Sequence, residues 1–257
     1  MKRVLTAAIL IPIIVYVVLW ANFWVFAAVL AAAACLSYFE YDVIAGRYGF
    51  GAPGPLGYGG GLLLLFWTRD AWLLITVVAI LAMALTLRDE LTKSLPRAGL
   101  LLLGVVYVFG CWKSAVPLRE ANPHWLMYGL IVNWAGDIGA YYVGRNFGRR
   151  KLAAEISPQK TWEGAAGSLV ASVLLAGAYL IRFIPDVGWR EIAGLTVAAN
   201  AAGQLGDLAE SAMKRGANRK DSGAILPGHG GFLDRVDSTL FALPVIYAYL
   251  RLTATIK

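Results

Sequence analysis

The sequence predicts an all-α, polytopic integral membrane protein with about nine transmembrane helices, and three observations predict it. Hydrophobic residues make up 59% of the 257 positions and charged residues only 15%, with a mean hydropathy of +0.63. A soluble domain carries about half apolar and about a quarter charged residues. The apolar residues are gathered into runs, several near the ~20 residues a helix needs to cross the hydrocarbon core. The basic residues, finally, fall in short loops between those runs.

Taken in order, the runs are 4–20, 23–44, 56–67, 71–87, 98–118, 125–146, 162–183, 190–212 and 233–252. The first follows Met1-Lys2-Arg3 and has the look of a signal peptide. No small-residue cleavage site follows Trp20, however, and the next run begins almost at once, so a retained helix is expected. The third run is short and holds Gly57, Gly59, Gly60 and Gly61. Charge bias argues that it crosses. With nine spans, the N-terminus and the even-numbered loops share one side, which receives Lys2, Arg3, Arg47, Arg88, Lys93, Arg97, Arg145, Arg149, Arg150, Lys151, Lys160, Lys214, Arg215, Arg219, Lys220 and Arg235. The opposite side keeps Arg69, Lys113, Arg119, Arg182, Arg190, Arg251 and Lys257. Sixteen against seven of the 23 basic residues gives nine spans and a cytoplasmic N-terminus.

The net charge of +7 could suggest a nucleic-acid partner. Its placement in loops beside apolar runs points instead to anionic lipid headgroups, and no nucleic acid is expected. Cys35 and Cys111 lie within apolar runs without metal-ligand or redox spacing and read as free thiols. No repeat or linker divides the chain, which reads as one domain over 1–257. Residues 1–125 are mainly scaffold, and 126–257 form the half that carries chemistry.

Ionisable groups at membrane depth are costly and mark function by default. In the sixth run Asn133, Asp137 and Tyr141 recur every four residues. In the eighth, Asn200, Gln204, Asp207 and Ser211 share one face. The two stripes would meet if these helices pack together. For Asn133, Asn200 and Gln204, interhelical hydrogen bonding is an equal alternative. Asp207 needs a cation or a proton and is the stronger functional candidate.

Positions 211–238 pack five basic residues, a Gly-rich turn and three carboxylates into the junction between two helices. Pro227-Gly228-His229-Gly230-Gly231 runs into the last helix, whose N-terminus offers free N–H groups to an anion. Asp234 and Asp237 occupy the first turn of that helix, three residues apart. Acids favour helix N-termini for electrostatic reasons alone, but with Asp207 they make an oxygen donor set suited to a hard cation such as magnesium. Lys214, Arg215, Arg219, Lys220 and Arg235 surround them, as phosphate handling requires. The residues point to magnesium-dependent phosphoryl or nucleotidyl transfer at the cytoplasmic face, with a lipid acceptor.

At these residues the chain resembles the CDP-diacylglycerol synthases, or phosphatidate cytidylyltransferases. Ser211-x-x-Lys214-Arg215, Lys220-Asp221 and Pro227-Gly-His-Gly-Gly-x-x-Asp234-Arg235-x-Asp237 match that family's pattern, as do Asp137-x-Gly139-x-Tyr141-x-x-Gly144-Arg145-x-Phe147-Gly148 and Ser157-Pro158-x-Lys160-Thr161-Trp162-Glu163-Gly164. The resemblance implies that CTP and phosphatidate are the substrates, and CDP-diacylglycerol and pyrophosphate the products. It implies that Asp207, Asp234 and Asp237 hold magnesium, with a second cation such as K+ beside it. It also implies a homodimer, located in the bacterial cytoplasmic (inner) membrane. The role assignments are catalytic for Asp221, Lys214, Arg215, Asp234 and Asp237, and substrate-binding for Lys160, Ser211, Lys220, His229, Arg235 and Asp137. A transporter would spread polar residues through the bilayer midplane, and a CTP-dependent lipid kinase would release CDP.

Overall fold

The computed structural model of the protein describes residues 2–67, 71–85, 90–225 and 230–253. It is 79% helical. Each of the nine apolar runs is helical among the described residues: α1 (Lys2–Leu19), α2 (Phe23–Gly46), α3 (Leu56–Phe66), α4 (Ala71–Leu85), α5 (Leu91–Gly104), α8 (Pro123–Phe147), α9 (Trp162–Phe183), α10 (Trp189–Gly216) and α11 (Leu233–Leu252). The fifth run continues beyond α5 through a π-helical turn, Val105–Gly110, and two short helices, α6 (Cys111–Lys113) and α7 (Ala115–Ala121).

By length and composition, three helical stretches suffice to cross a membrane: Phe23–Gly46, Thr92–Ala121 and Trp162–Phe183. Ala8–Leu19 and Leu56–Phe66 are apolar but shorter. At 1.5 Å per residue, eleven residues reach only about half of the ~30 Å hydrocarbon core. Large apolar side chains such as Ile13, Trp24, Ile80, Leu174 and Ile181 are exposed, which a lipid-facing surface explains and a water-facing one does not. This is a membrane protein.

The all-α expectation is corrected at one place. The segment after α8, expected as a loop, is a hairpin in which β1 (Lys151–Ala153) pairs antiparallel with β2 (Ser157–Thr161). Both of its ends are tied down. Thr161 closes β2 and caps α9, its hydroxyl accepting from Gly164 N at 3.1 Å. The Glu163 carboxylate accepts from the backbone N–H of Arg149 at 3.1 Å and of Arg150 at 3.2 Å.

The chain divides into two compact units. One comprises Met1–Ile9, Asn22–Lys113 and Met213–Val236; the other comprises Leu10–Ala21, Ser114–Ala212 and Asp237–Lys257. In the first, α2 buries Phe26, Leu30, Ala34, Tyr38, Tyr41 and Ile44 along one face. Glycines of α3 meet that aromatic core. A Cβ at Gly57 would overlap the Tyr38 ring, and one at Gly61 the Phe109 ring. Tyr41 donates its hydroxyl proton to Leu100 O at 2.7 Å. Lys113 donates to the carbonyls of Leu64 (3.0 Å) and Trp67, closing the C-terminal end of α3.

In the second unit, α8 and α9 run antiparallel in close contact. A Cβ at Gly139 would run into the Gly167 carbonyl, and one at Gly167 into Val143. Small residues let membrane helices approach this closely. Arg119 reaches the carbonyls of Val18 (2.9 Å) and Ala21 and closes the C-terminal end of α1.

Candidate active site

The polar stripes of α8 and α10 open onto one cavity of about 410 Å3 within the second unit. From α8 come Asn133, Asp137, Tyr141 and Arg145. From β2 come Gln159, Lys160 and Thr161, and from α10 come Asn200, Gln204 and Asp207. Deep in the unit the amides serve packing. Buried Asn200 donates to Ser168 and Ser172 hydroxyls at 2.9 Å each. Gln204 donates to Asn200 Oδ1 at 2.7 Å, and Asn133 to Gly129 O at 2.9 Å. Farther along the stripes the groups are charged. Lys160 Nζ lies 2.5 Å from Asp207 Oδ2. Arg145 donates to the Tyr141 hydroxyl at 2.6 Å. The Ser211 hydroxyl faces Asp207 Oδ1 at 3.4 Å.

Asp237, on α11, is buried in the same unit and stands in the electrostatic field of Asp207, Glu210 and Asp137. Four carboxylates are thus concentrated where α8, α10 and α11 supply them, and Lys160 offsets one of the charges. Glycines make the approach possible, because a Cβ at Gly206 would press on the Asp237 carbonyl and the Phe241 ring. Among the described residues, no three Asp, Glu, His or Cys side chains are gathered closely enough to grip a metal ion as they stand. In chemistry the donors fit a hard divalent cation: all are oxygens, and their mutual repulsion favours a positive charge among them.

The basic segment lies in the first unit. There α10 ends at Gly216, and just beyond it Asn218 adopts φ +54° while Arg219 N reaches back to Lys214 O at 2.8 Å. Asparagine tolerates this left-handed helix stop. Lys214 and Asp234, assigned from the sequence to phosphates and to the cation respectively, pair with each other at 2.5 Å, both largely buried. Asp234 also accepts from Gly231 N at 2.8 Å and Ser222 N at 3.1 Å. Gly230 has φ +80°, and a Cβ there would face the carboxylates of both Asp234 and Asp221. Arg215, Lys220, Asp221 and Arg235 are exposed, with Arg215 donating to Arg219 O at 3.2 Å. His229 lies outside the described residues.

Two acids missed by the sequence reading belong to these clusters. Glu210 is fully buried one turn beyond Asp207, and Glu40, in α2, is 1% exposed. The rule that ionisable residues in apolar helices are functional points to both. Glu40 lies far in sequence from the basic residues clustered late in the chain, so charge clustering does not signal it.

A model of the cytidylyltransferase family matches residues 1–253. The chain belongs to the cytidylyltransferase family. Among its relatives, a phosphatidate cytidylyltransferase of Bacillus subtilis (strain 168) is 39% identical over 176 residues, covering 67% of this chain and 65% of that protein. One of Haemophilus influenzae is 49% identical over 124 residues, 46% of this chain and 43% of the relative. One of Staphylococcus saprophyticus is 35% identical over 194 residues, 72% and 75% respectively. The matched part of this cytidylyltransferase-family chain spans less than two thirds of the length of the first two relatives.

Proposed function

We propose that the chain transfers a cytidylyl group from CTP to phosphatidate, giving CDP-diacylglycerol and pyrophosphate. The observation that carries this reading is the Lys160–Asp207 pair lining a cavity in a chain of the cytidylyltransferase family. Named relatives in three bacteria supply the choice of phosphatidate.

The phosphate monoester of phosphatidate has its second pKa at about 6 and is anionic near neutrality. It needs no strong general base. One of its oxygens attacks the α-phosphorus of CTP, the bond from that phosphorus to the β-phosphate oxygen breaks, and pyrophosphate leaves with the electron pair. The obstacle is the approach of two anions. Lys160, held by Asp207, offers an ammonium at the cavity, and Arg145 adds a guanidinium. In this reading Lys214, Arg215, Lys220 and Arg235 contact phosphates, Ser211 and His229 contact substrate, and Asp221 shapes the basic loop. Within the second unit Asp207 and Asp237 would hold magnesium, alone or with a second cation such as K+, and Asp234 keeps the cation-binding role that the family resemblance implies. Bound there, magnesium supplies charge screening between the reactants and stabilisation of the departing pyrophosphate. We further propose nine spans with the N-terminus and the active site cytoplasmic, a place in the bacterial inner membrane, and a homodimer.

The test is an assay of detergent-solubilised protein with labelled CTP and phosphatidate, with and without magnesium. Label appearing in a lipid together with pyrophosphate, only when magnesium is present, is the expected result. Release of CDP with a phosphorylated lipid would replace the proposal by a lipid kinase.

A further inference from the structure

We infer that Glu40 is a positioning residue for cytidylyl transfer: it fixes Ser222 and the first turn of α11, and through them the Lys214–Asp234 pair. The inference rests on the function proposed above. Glu40 sits in α2, more than 180 residues from its partners in sequence, and is 1% exposed. Three donors converge on its carboxylate. Oε2 accepts from the Ser222 hydroxyl at 2.6 Å and from Leu233 N at 2.8 Å, and Oε1 accepts from Phe232 N at 2.9 Å. The two amides stand at the start of α11, whose first-turn N–H groups have no partner within the helix. A carboxylate from a distant helix therefore does the work that a local cap residue usually does, and adds a negative charge at the positive end of the helix dipole.

The hold passes on to Asp234. Ser222, gripped by Glu40 through its hydroxyl, donates its backbone N–H to the Asp234 carboxylate at 3.1 Å, and Asp234 N donates back to the Ser222 hydroxyl at 3.3 Å. Asp234 in turn faces Lys214 at 2.5 Å. The chain of contacts Glu40, Ser222, Asp234, Lys214 ends on two residues assigned to substrate and cation. The backbone is shaped to admit it. A Cβ at Gly223 would overlap the Glu40 carboxylate, and one at Gly231 would overlap both that carboxylate and the Ser222 hydroxyl. Glycine at both positions leaves the space that Glu40 fills.

The full-length protein in detergent tests this with Glu40→Gln, Glu40→Asp and Ser222→Ala, read by amide hydrogen exchange and by steady-state turnover of CTP and phosphatidate. Glutamine keeps the shape but turns an N–H2 group toward donors. Loss of hydrogen bonds to a charged group predicts exchange at Phe232 and Leu233 faster by about 10-fold or more, with α8 and α9 unchanged. It also predicts kcat lower by about 10-fold or more while KM for CTP moves by less than about 3-fold. Glu40→Asp, which keeps the charge, recovers part of both effects, and Ser222→Ala reproduces them more weakly. Unaltered exchange in Glu40→Gln overturns the inference, as does faster exchange with wild-type kcat, which marks a purely structural tie. If Glu40→Gln fails to fold, Ser222→Ala decides by the same two readouts. Wild-type protein without any turnover would overturn the proposed function and the role in transfer together, whereas wild-type turnover with an unaffected Glu40→Gln overturns the inference alone.

Discussion

The ammonium of Lys160 in β2 lies 2.5 Å from the carboxylate of Asp207 in α10, and both line the cavity of the second unit. The two side chains are roughly one third exposed, so the pair adds little to stability. Its value lies in the charge it presents. Lys160→Met is expected to lower kcat by about 100-fold, the loss typical for removing one preorganised donor from developing phosphate charge. Thermal unfolding should move by less than about 1 kcal/mol equivalent. Steady-state kinetics on protein of matched folded fraction checks both numbers.

The Lys214–Asp234 pair behaves differently because its side chains are only about a tenth exposed. Asp234→Asn removes the counter-charge facing a buried ammonium, which costs about 3–5 kcal/mol in comparable pairs. Turnover should be lost and thermal unfolding lowered. Adding Lys214→Met to Asp234→Asn should restore much of the stability and none of the turnover. A double variant as unstable as the single one would count against the pair as the source of the loss.

The antiparallel contact of α8 and α9 depends on glycine. Gly139→Val would drive a side chain into the Gly167 carbonyl and the Ala171 methyl group. Overpacking of this kind costs about 1–3 kcal/mol and should spoil the cavity wall as well. Gly99→Ala in α5, where a Cβ meets nothing within 4 Å, is the contrasting change. It should be neutral or stabilising by up to about 1 kcal/mol. Detergent thermal unfolding separates the two.

Asn200 tests whether a polar stripe binds substrate or binds helices together. Its amide donates to Ser168 and Ser172 of α9 and its oxygen accepts from Gln204. Asn200→Ala should lower stability by about 1–2 kcal/mol and leave kcat per folded molecule within about 3-fold. A large loss of kcat without loss of stability would move Asn200 into the substrate site.

Helix placement was legible because long apolar runs leave the backbone no alternative to internal hydrogen bonding. The runs 162–183 and 233–252 are α9 and α11 to the residue. The stripe through Asn133 and Asp137 was legible for a similar reason, since helical period fixes which residues share a face. The hairpin was not. Ser157-Pro158-Gln159-Lys160-Thr161 has no alternating apolar pattern, and its geometry is held by Glu163 and the Thr161 cap rather than by strand propensity. Neither was the role of Glu40, because a contact across more than 180 residues leaves no local periodicity to read. The glycines of α3 read as a weakness in a span. Two of them, Gly57 and Gly61, are the sockets for Tyr38 and Phe109.

The π-helical turn at Val105–Gly110 sets the register of everything that follows it in the Thr92–Ala121 stretch. A π turn holds one residue more than an α turn, and each residue advances a helix by about 100°. Forcing α geometry on the same residues would swing Lys113 by roughly a quarter revolution, off the carbonyls of Leu64 and Trp67, whereas deleting a single residue there would let the turn relax to α geometry with Lys113 still in phase. The bulge is a phase adjuster: it takes up one residue of chain and leaves the lysine aligned with the end of α3.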